Sequence, residues 1–499
     1  MDHSNLVQVS PAVRQFIERT HGLFIDGAQT PAHSPLRLDV FDPASGERLT
    51  TVADADVQDV ERAVASARHA FDTRVWRGLR PADRERILLR LADVLEAHAE
   101  ELAQLETLNQ GKSINISRGV EVGASIEYVR YMAGWATKIE GETLDVSIPI
   151  PPGTRYTAFT RKEPVGVVAG IVPWNFPLMI AIWKLVPALA AGCSIVIKPS
   201  PETPLTALRL AELAREAGVP PGVFNVVTGG RVSGSALAAH PGINKISFTG
   251  STPTGKLVGA AAVQNMTRFS LELGGKNPAV MLADVDVDQA VQGMLLGGLF
   301  NQGQVCAAAS RIYVHRSKYR QIADGLADAA RAMTLGPGLD PAAQVNPLVS
   351  AHHRDRVLEH IGRARAEGLK FLAGGDPVEQ PGYYVRPAVI ADAPHDASIV
   401  RDEVFGPVLL VVPFDDPLEA LRLANDSSYG LAASLWSNDL KAVMNLVQQI
   451  EAGTVWVNSH VPLDPSMPFG GFKHSGIGRE FGRHAVEGFT ETKSVCIAH

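Results

Sequence analysis

The stretch VGVVAGIVPWNFPLMIAIWKLVPALAAGCSIVIKP, from Val165 to Pro199, decides the fold. It is the most apolar part of the chain. Pro173, Pro177 and Pro187 break it, as do Asn175, Lys184 and Gly192, so it lacks the roughly 20-residue apolar run of a membrane-spanning helix. It reads instead as a buried strand (VGVVAGIV), a loop, a helix (PLMIAIWKLVPALAAG) and a second strand (SIVIKP). The pattern continues downstream. TALRLAELAREAG is a helix that stops at Gly218, VFNVVTG a third strand, SGSALAAHPG a helix and KISFTGS a fourth strand. Strands alternating with helices predict an α/β fold with a parallel sheet, which binds ligands at the carboxyl ends of its strands.

Outward from this unit the organisation changes twice. On the N-terminal side, residues 1–20 are polar and read as an extension. GLFIDGAQ and RLDVFDPASGERLTTV read as short strands, and residues from Asp56 to about 138 read as helical. In PADRERILLRLADVLEAHAEELAQLETL, Ile87, Leu88, Leu91, Val94 and Leu95 share one face, and Pro81 suits the first turn. GETLDVSIPIPPGTRYTAFTRKEP then alternates and carries prolines, as a protruding arm would. An arm with so little core of its own is expected to pack on another subunit. On the C-terminal side, RFSLELGGKNPAVML brings a strand pair and a glycine turn. A second α/β block follows, and GFTETKSVCIAH reads as a last strand.

The bulk numbers narrow the function. At 499 residues the chain is too long for one ordinary core. A formal charge of −7 without a basic block argues against nucleic acid or an anionic membrane as the main partner. Three scattered cysteines, Cys193, Cys306 and Cys496, form neither a disulfide framework nor a zinc pattern. A reducing, cytoplasmic setting without a structural metal is expected.

Several residues have the chemistry for catalysis. Cys306 in FNQGQVCAAASR is flanked by polar and small residues, an accessible setting for a nucleophile; a buried packing cysteine is the alternative. Glu272 in LELGGK ends a strand and points away from both neighbouring leucines. It is either a base whose pKa burial raises or an exposed carboxylate. Asn175 in VPWNFP sits on a loop at a strand end, where its amide would donate to an oxyanion or simply make a turn. Lys198, Gly250 with Gly255, and Glu403 with Phe405 follow other strands or precede one, and would suit ribose, pyrophosphate and a flat heterocycle. Each is also compatible with an ordinary loop.

Together these motifs resemble the aldehyde dehydrogenase superfamily from about residue 22 to 499. LELGGK and FNQGQVCAAASR look like its glutamate and cysteine motifs, 34 residues apart. PWNFP, IKPSPETP, FTGST, EVFGPV, NDSSYGLAAS, VWVN and PFGGFKHSGIGRE recur in the same order. The resemblance implies that Cys306 attacks the aldehyde and that Asn175 with the Cys306 N–H holds the oxyanion. It implies that Glu272 activates water, with Lys184 and Glu480 relaying the proton. It places Trp174, Lys198, Gly229, Phe248, Gly250, Ser251, Leu273, Glu403 and Phe405 around the cofactor. It places Phe176, Met179, Trp183, Phe300, Val305, Leu463 and Phe469 in the substrate tunnel.

None of the tunnel residues is charged, which favours a hydrophobic aldehyde. The segment NSHVPLDPSMPFGGFKHSGIGREFG most resembles members acting on phenylacetaldehyde. Aliphatic, betaine and amino aldehydes and semialdehydes are the alternatives. One departure bears on the cofactor. Pro201 stands where the family often has the carboxylate that favours NAD, and the glutamate is one place later, at Glu202. NAD is expected, with NADP possible.

The implied fold is a Rossmann-type cofactor domain (1–140 and 164–274), an α/β catalytic domain (275–487) and a small β oligomerisation arm (141–163 and 488–499). A homotetramer or homodimer is expected. Two rivals carry less. A thioester-releasing relative that uses coenzyme A would lack Glu272. A binding protein that kept only the fold would have lost Cys306, Glu272 or Asn175.

Overall fold

The computed structural model describes residues 6–499. The opening stretch folds as its pattern predicts: strand Val167–Ile171, helix Pro177–Ala191, strand Ser194–Lys198. Gly192, at φ 96°, ends the helix in the left-handed conformation that glycine adopts without strain. Every residue of that helix is buried, which explains why its sequence is apolar all round.

These elements nucleate an eight-stranded sheet. Its order is Ala28–Thr30, Leu23–Ile25, Phe224–Val226, Ser194–Lys198, Val167–Ile171, Lys245–Thr249, Arg268–Glu272 and Gly476–Ile477. The five strands from Phe224–Val226 to Arg268–Glu272 are parallel. The chain starts in the middle at Val167–Ile171, runs outward through Ser194–Lys198 and Phe224–Val226, then crosses back to Lys245–Thr249. The order therefore reverses between Val167–Ile171 and Lys245–Thr249, and a crevice opens at their carboxyl ends. The loops carrying Asn175 and Gly250 flank that crevice.

A second, seven-stranded sheet runs Lys370–Ala373, Ala388–Ala391, Val408–Phe414, Ala309–His315, Asn277–Met281, Ala432–Trp436 and Thr454–Val457. All its pairings are parallel except that of Lys370–Ala373 with Ala388–Ala391. A third sheet pairs Thr490–Ala498 with Tyr156–Pro164 along nine residues, with Thr143–Leu144 beyond. This three-stranded unit exposes Leu144, Val146, Ile148, Ile150 and Ile497.

The N-terminal extension needs correcting. Residues 1–5 lie outside the described residues, but Pro11–Ile17 is a helix capped by Ser10. Its Val13 and Phe16 are fully buried in the core that holds the central helix. The Ser10 N–H donates to Gln104 Oε1 at 2.8 Å. Two apolar residues three apart in a polar segment suffice to dock one short helix. Among the described residues, no helix is long and apolar enough to cross a membrane.

Candidate active site

Cys306 lies in a turn between helix Val287–Leu299 and strand Ala309–His315. The turn closes through the Ala308 N–H, which donates to the Val305 carbonyl at 3.0 Å. Just before it, Asn301 and Gln302 hold left-handed backbone angles (φ 47° and 59°). Such strain in non-glycine residues persists only where surrounding structure enforces it, and it clusters at active sites. The thiol is half-buried, and the neighbouring N–H groups of Cys306 and Ala307 favour its ionised form. Burial, and then the carboxylates of Glu403 and Glu272, push its pKa up to about 12.

Asn175 faces this turn. Its side-chain Nδ2 donates to the Gln304 carbonyl at 3.0 Å, leaving the second amide hydrogen for another acceptor. Its own carbonyl accepts from Asn301 Nδ2 at 3.0 Å and Lys112 Nζ at 2.9 Å. Glu272 ends strand Arg268–Glu272 beside Thr249. Both its carboxylate oxygens are buried without a hydrogen-bond partner, and a Cβ on Gly470 would stand 2.8 Å from Oε1. Burial, then the charge of Glu480, hold its pKa well above the usual carboxylate range, with Lys184 opposing. The fully buried Lys184 pairs with Glu480 and donates to Thr249 Oγ1 at 2.6 Å.

The second region suits a dinucleotide. Lys198 is buried, and its ammonium donates to the Pro199 carbonyl at 2.9 Å, one acceptor for three hydrogens. Burial lowers its pKa to about 8. Gly229 (φ 150°) lies in the loop leading to helix Arg231–Ala238. Ser251 caps helix Thr252–Gln264, whose first-turn N–H groups favour an anion. Gly250 rests on the Phe248 ring and Gly255 on Leu273; a Cβ would come within 2.6 and 2.4 Å of them. Glu403 Oε1 accepts from the Gly275 N–H at 2.8 Å, and a Cβ on Gly274 would stand 2.1 Å from Oε2. Burial raises its carboxyl to about 7. The Trp174 and Phe405 rings meet edge to face at 5.3 Å. A buried ammonium with spare donors, a helix N-terminus, a buried carboxylate and two rings fit phosphate, ribose and heterocycle.

Six of the seven tunnel residues gather in one apolar cluster. Phe176, Met179, Trp183, Val305 and Phe469 are buried in it, and Phe300, like Cys306, packs against it. The Phe176 and Phe300 rings stack 6.1 Å apart. Leu463 lies outside the cluster, 37% exposed on its loop.

Three groups escaped the sequence reading. His353 donates from Nε2 to the Phe405 carbonyl at 2.8 Å and packs on Trp174, bracing both rings. Tyr128 and Phe481 add rings around Trp183. Lys112 is fully buried and donates to Glu121 at 2.5 Å, while the other oxygen of Glu121 accepts from the Met179 N–H at 2.9 Å. This pair holds both the Asn175 loop and the first turn of the central helix. Glu121 reaches inward from a π-helical turn, Ser117–Gly123, a local widening common at functional sites.

The turn bearing a thiol, preceded by a strained segment, the buried carboxyl and the switch-point crevice are the parts an acyl-transferring oxidoreductase needs. The aldehyde dehydrogenase family model matches residues 30–495, and the chain belongs to that family. It is an aldehyde-oxidising enzyme that uses NAD(P). Phenylacetaldehyde dehydrogenase of Pseudomonas fluorescens is 50% identical over 96% of both chains. An aldehyde dehydrogenase from Bacillus cereus, solved as its NAD+ complex, superposes with a TM-score of 0.96 at 41% identity and covers 99% of each chain. A point mutant of betaine aldehyde dehydrogenase from Staphylococcus aureus, with NAD+, gives 0.94 at 37% identity over 97% of each.

Proposed function

We propose that the protein oxidises a hydrophobic aromatic aldehyde, phenylacetaldehyde, to its carboxylate with NAD, through a thioester on Cys306. The observation that carries this is that the tunnel-position residues are all uncharged and mostly aromatic, and that six of the seven belong to the apolar core against which Cys306 also packs. A charged substrate would need a buried partner that these side chains do not offer. The 50% identity to a phenylacetaldehyde dehydrogenase supports the same substrate.

Cys306 gives its thiol proton to solvent, and the thiolate attacks the carbonyl carbon. The spare Asn175 amide hydrogen and the Cys306 N–H receive the oxyanion. A bound nicotinamide would supply the hydride acceptor that oxidation of the thiohemiacetal requires. Glu272 takes a proton from the water that attacks the thioester, and Lys184 with Glu480 passes that proton onward. Lys198 and Glu403 would hold riboses, Gly250 and Ser251 the pyrophosphate, and Trp174 and Phe405 would flank the nicotinamide end. Gly229, Phe248 and Leu273 shape the cradle.

In this reading residues 1–140 and 164–274 bind the cofactor, 275–487 carry the nucleophile, and the arm (141–163 and 488–499) joins copies into a dimer or tetramer. In the same proposal the enzyme has a cytoplasmic setting and a role in aromatic-compound breakdown. Initial rates with NAD and NADP over phenylacetaldehyde, benzaldehyde, hexanal, betaine aldehyde and succinic semialdehyde test it. Phenylacetaldehyde with NAD is expected to give the highest kcat/KM. A charged aldehyde in first place would overturn the substrate assignment.

A further inference from the structure

His460 follows strand Thr454–Val457 and is 4% exposed. Its Nε2 lies 2.7 Å from the carbonyl oxygen of Ala307, the residue after the nucleophile. A carbonyl only accepts, so Nε2 carries the hydrogen. In the neutral ring Nδ1 then accepts, and the Ser434 hydroxyl at 2.8 Å is its donor. The Ser434 oxygen in turn accepts from Trp436 Nε1 at 2.9 Å. The chain Trp436, Ser434, His460, Ala307 thus has one direction and one tautomer. Burial keeps the ring neutral by lowering its pKa to about 4. The ring packs against Trp456 and the bare backbone of Gly297. Trp456 lies 5.0 Å away, and a Cβ on Gly297 would stand 2.7 Å from His460 Cβ.

Asn277 completes the hold. Its Nδ2 donates to the carbonyls of Cys306 (2.8 Å) and Ala308 (3.0 Å), and its Oδ1 accepts from the Ala432 N–H at 3.0 Å. The Val305 carbonyl is taken by the turn's own bond from Ala308 N–H. All four carbonyls from Val305 to Ala308 therefore have donors. The Ala307 carbonyl shares its peptide plane with that Ala308 N–H, so holding it holds the turn closed. Fixing these planes aims the N–H groups of Cys306 and Ala307 at the sulfur.

We infer that His460 is a positioning residue for the nucleophile, clamping the Ala307 peptide so that the Cys306 thiol and its N–H donors keep their attack geometry. The inference rests on the reading of Cys306 as the nucleophile. It goes further by assigning a reaction-specific role to a histidine that contacts neither substrate nor cofactor.

The test compares His460→Phe, His460→Gln and Ser434→Ala with the parent. Three quantities are read: kcat with phenylacetaldehyde, KM for NAD, and the rate of Cys306 alkylation by iodoacetamide. Melting temperature is followed beside them. His460→Phe removes the donor and is expected to lower kcat and alkylation together by about tenfold to a hundredfold, because a misplacement of about 1 Å costs that much. KM for NAD should stay within about twofold, since the cofactor contacts are untouched. His460→Gln can still donate to Ala307 and should recover most of the loss. A folded His460→Phe protein with both rates within about twofold of the parent would overturn the inference. If His460→Phe does not fold, Ser434→Ala decides: the inference expects slower alkylation, and an unchanged rate contradicts it. Cys306→Ala, measured in parallel, reports on the nucleophile itself; activity surviving there would sink the underlying reading and not the clamp alone.

Discussion

At Cys306 two demands conflict. The sulfur attacks as a thiolate, yet burial and two nearby carboxylates hold it as a neutral thiol, with a pKa near 12. A thiol of that pKa ionises tenfold more with each pH unit across the neutral range. The alkylation rate of Cys306 in the cofactor-free enzyme is therefore expected to rise about tenfold per unit from pH 6 to 9, without a plateau. A stopped-time iodoacetamide assay checks this; a plateau near pH 7 would show a low-pKa thiolate instead. Glu272 shifts in the same sense. Its raised pKa keeps it protonated at low pH, where it cannot take a proton from water, so thioester hydrolysis should also gain as pH rises. Cys193 shares the burial-raised pKa, about 11, but differs in exposure: it is fully buried, its Sγ 3.4 Å from the Phe489 carbonyl. Its apolar surroundings in AAGCSIVIKP point to a core residue.

At the scale of elements, the Lys112–Glu121 pair shows what a buried charge does here. It joins the π-helical turn to the Asn175 loop and to the Met179 end of the central helix. A second carboxyl, Glu106, lies 3.5 Å from the same ammonium, and burial, then the charge of Glu121, raises its pKa to about 8. Lys112→Met leaves Glu121 buried without its cation. It is expected to cost about 3–5 kcal/mol of stability and to lower kcat by loosening Asn175. Urea unfolding and steady-state kinetics check both halves; unchanged stability would mean that the pair contributes no net stability. Sequence reasoning did not find this pair, and the reason is physical. Lys112 and Glu121 are polar residues in a helical region, where the ordinary expectation is a solvated face. The contact that makes them functional, with Asn175, spans 63 residues. His353 and His460 were invisible for the same reason. Strands and helices follow from local periodicity, so Val167–Ile171, Pro177–Ala191 and Ser194–Lys198 could be read directly.

Across the whole molecule, the residues proposed as catalytic converge because the parallel sheets place their loops on the crevice. Asn175, Gly250 and Glu272 follow three adjacent strands of the first sheet, and Cys306 precedes a strand of the second. Motif order alone indicated this convergence; it could not supply the distances. The three-stranded arm has a different role in the proposal. Its exposed Leu144, Val146, Ile148, Ile150 and Ile497 would be a liability in a monomer. Ile148→Asp together with Ile150→Asp is expected to shift the protein to a smaller assembly in light scattering. An unchanged mass would place the subunit interface elsewhere.

The central claim is that oxidation passes through an acyl group on Cys306 that Glu272 helps to release. The most direct measurement is the mass of the Glu272→Gln enzyme after mixing with phenylacetaldehyde and NAD, with the modified peptide mapped. The account predicts NADH formation of about one equivalent followed by a stall, with a phenylacetyl group on the peptide holding Cys306. Full turnover with no mass added at Cys306 would contradict it.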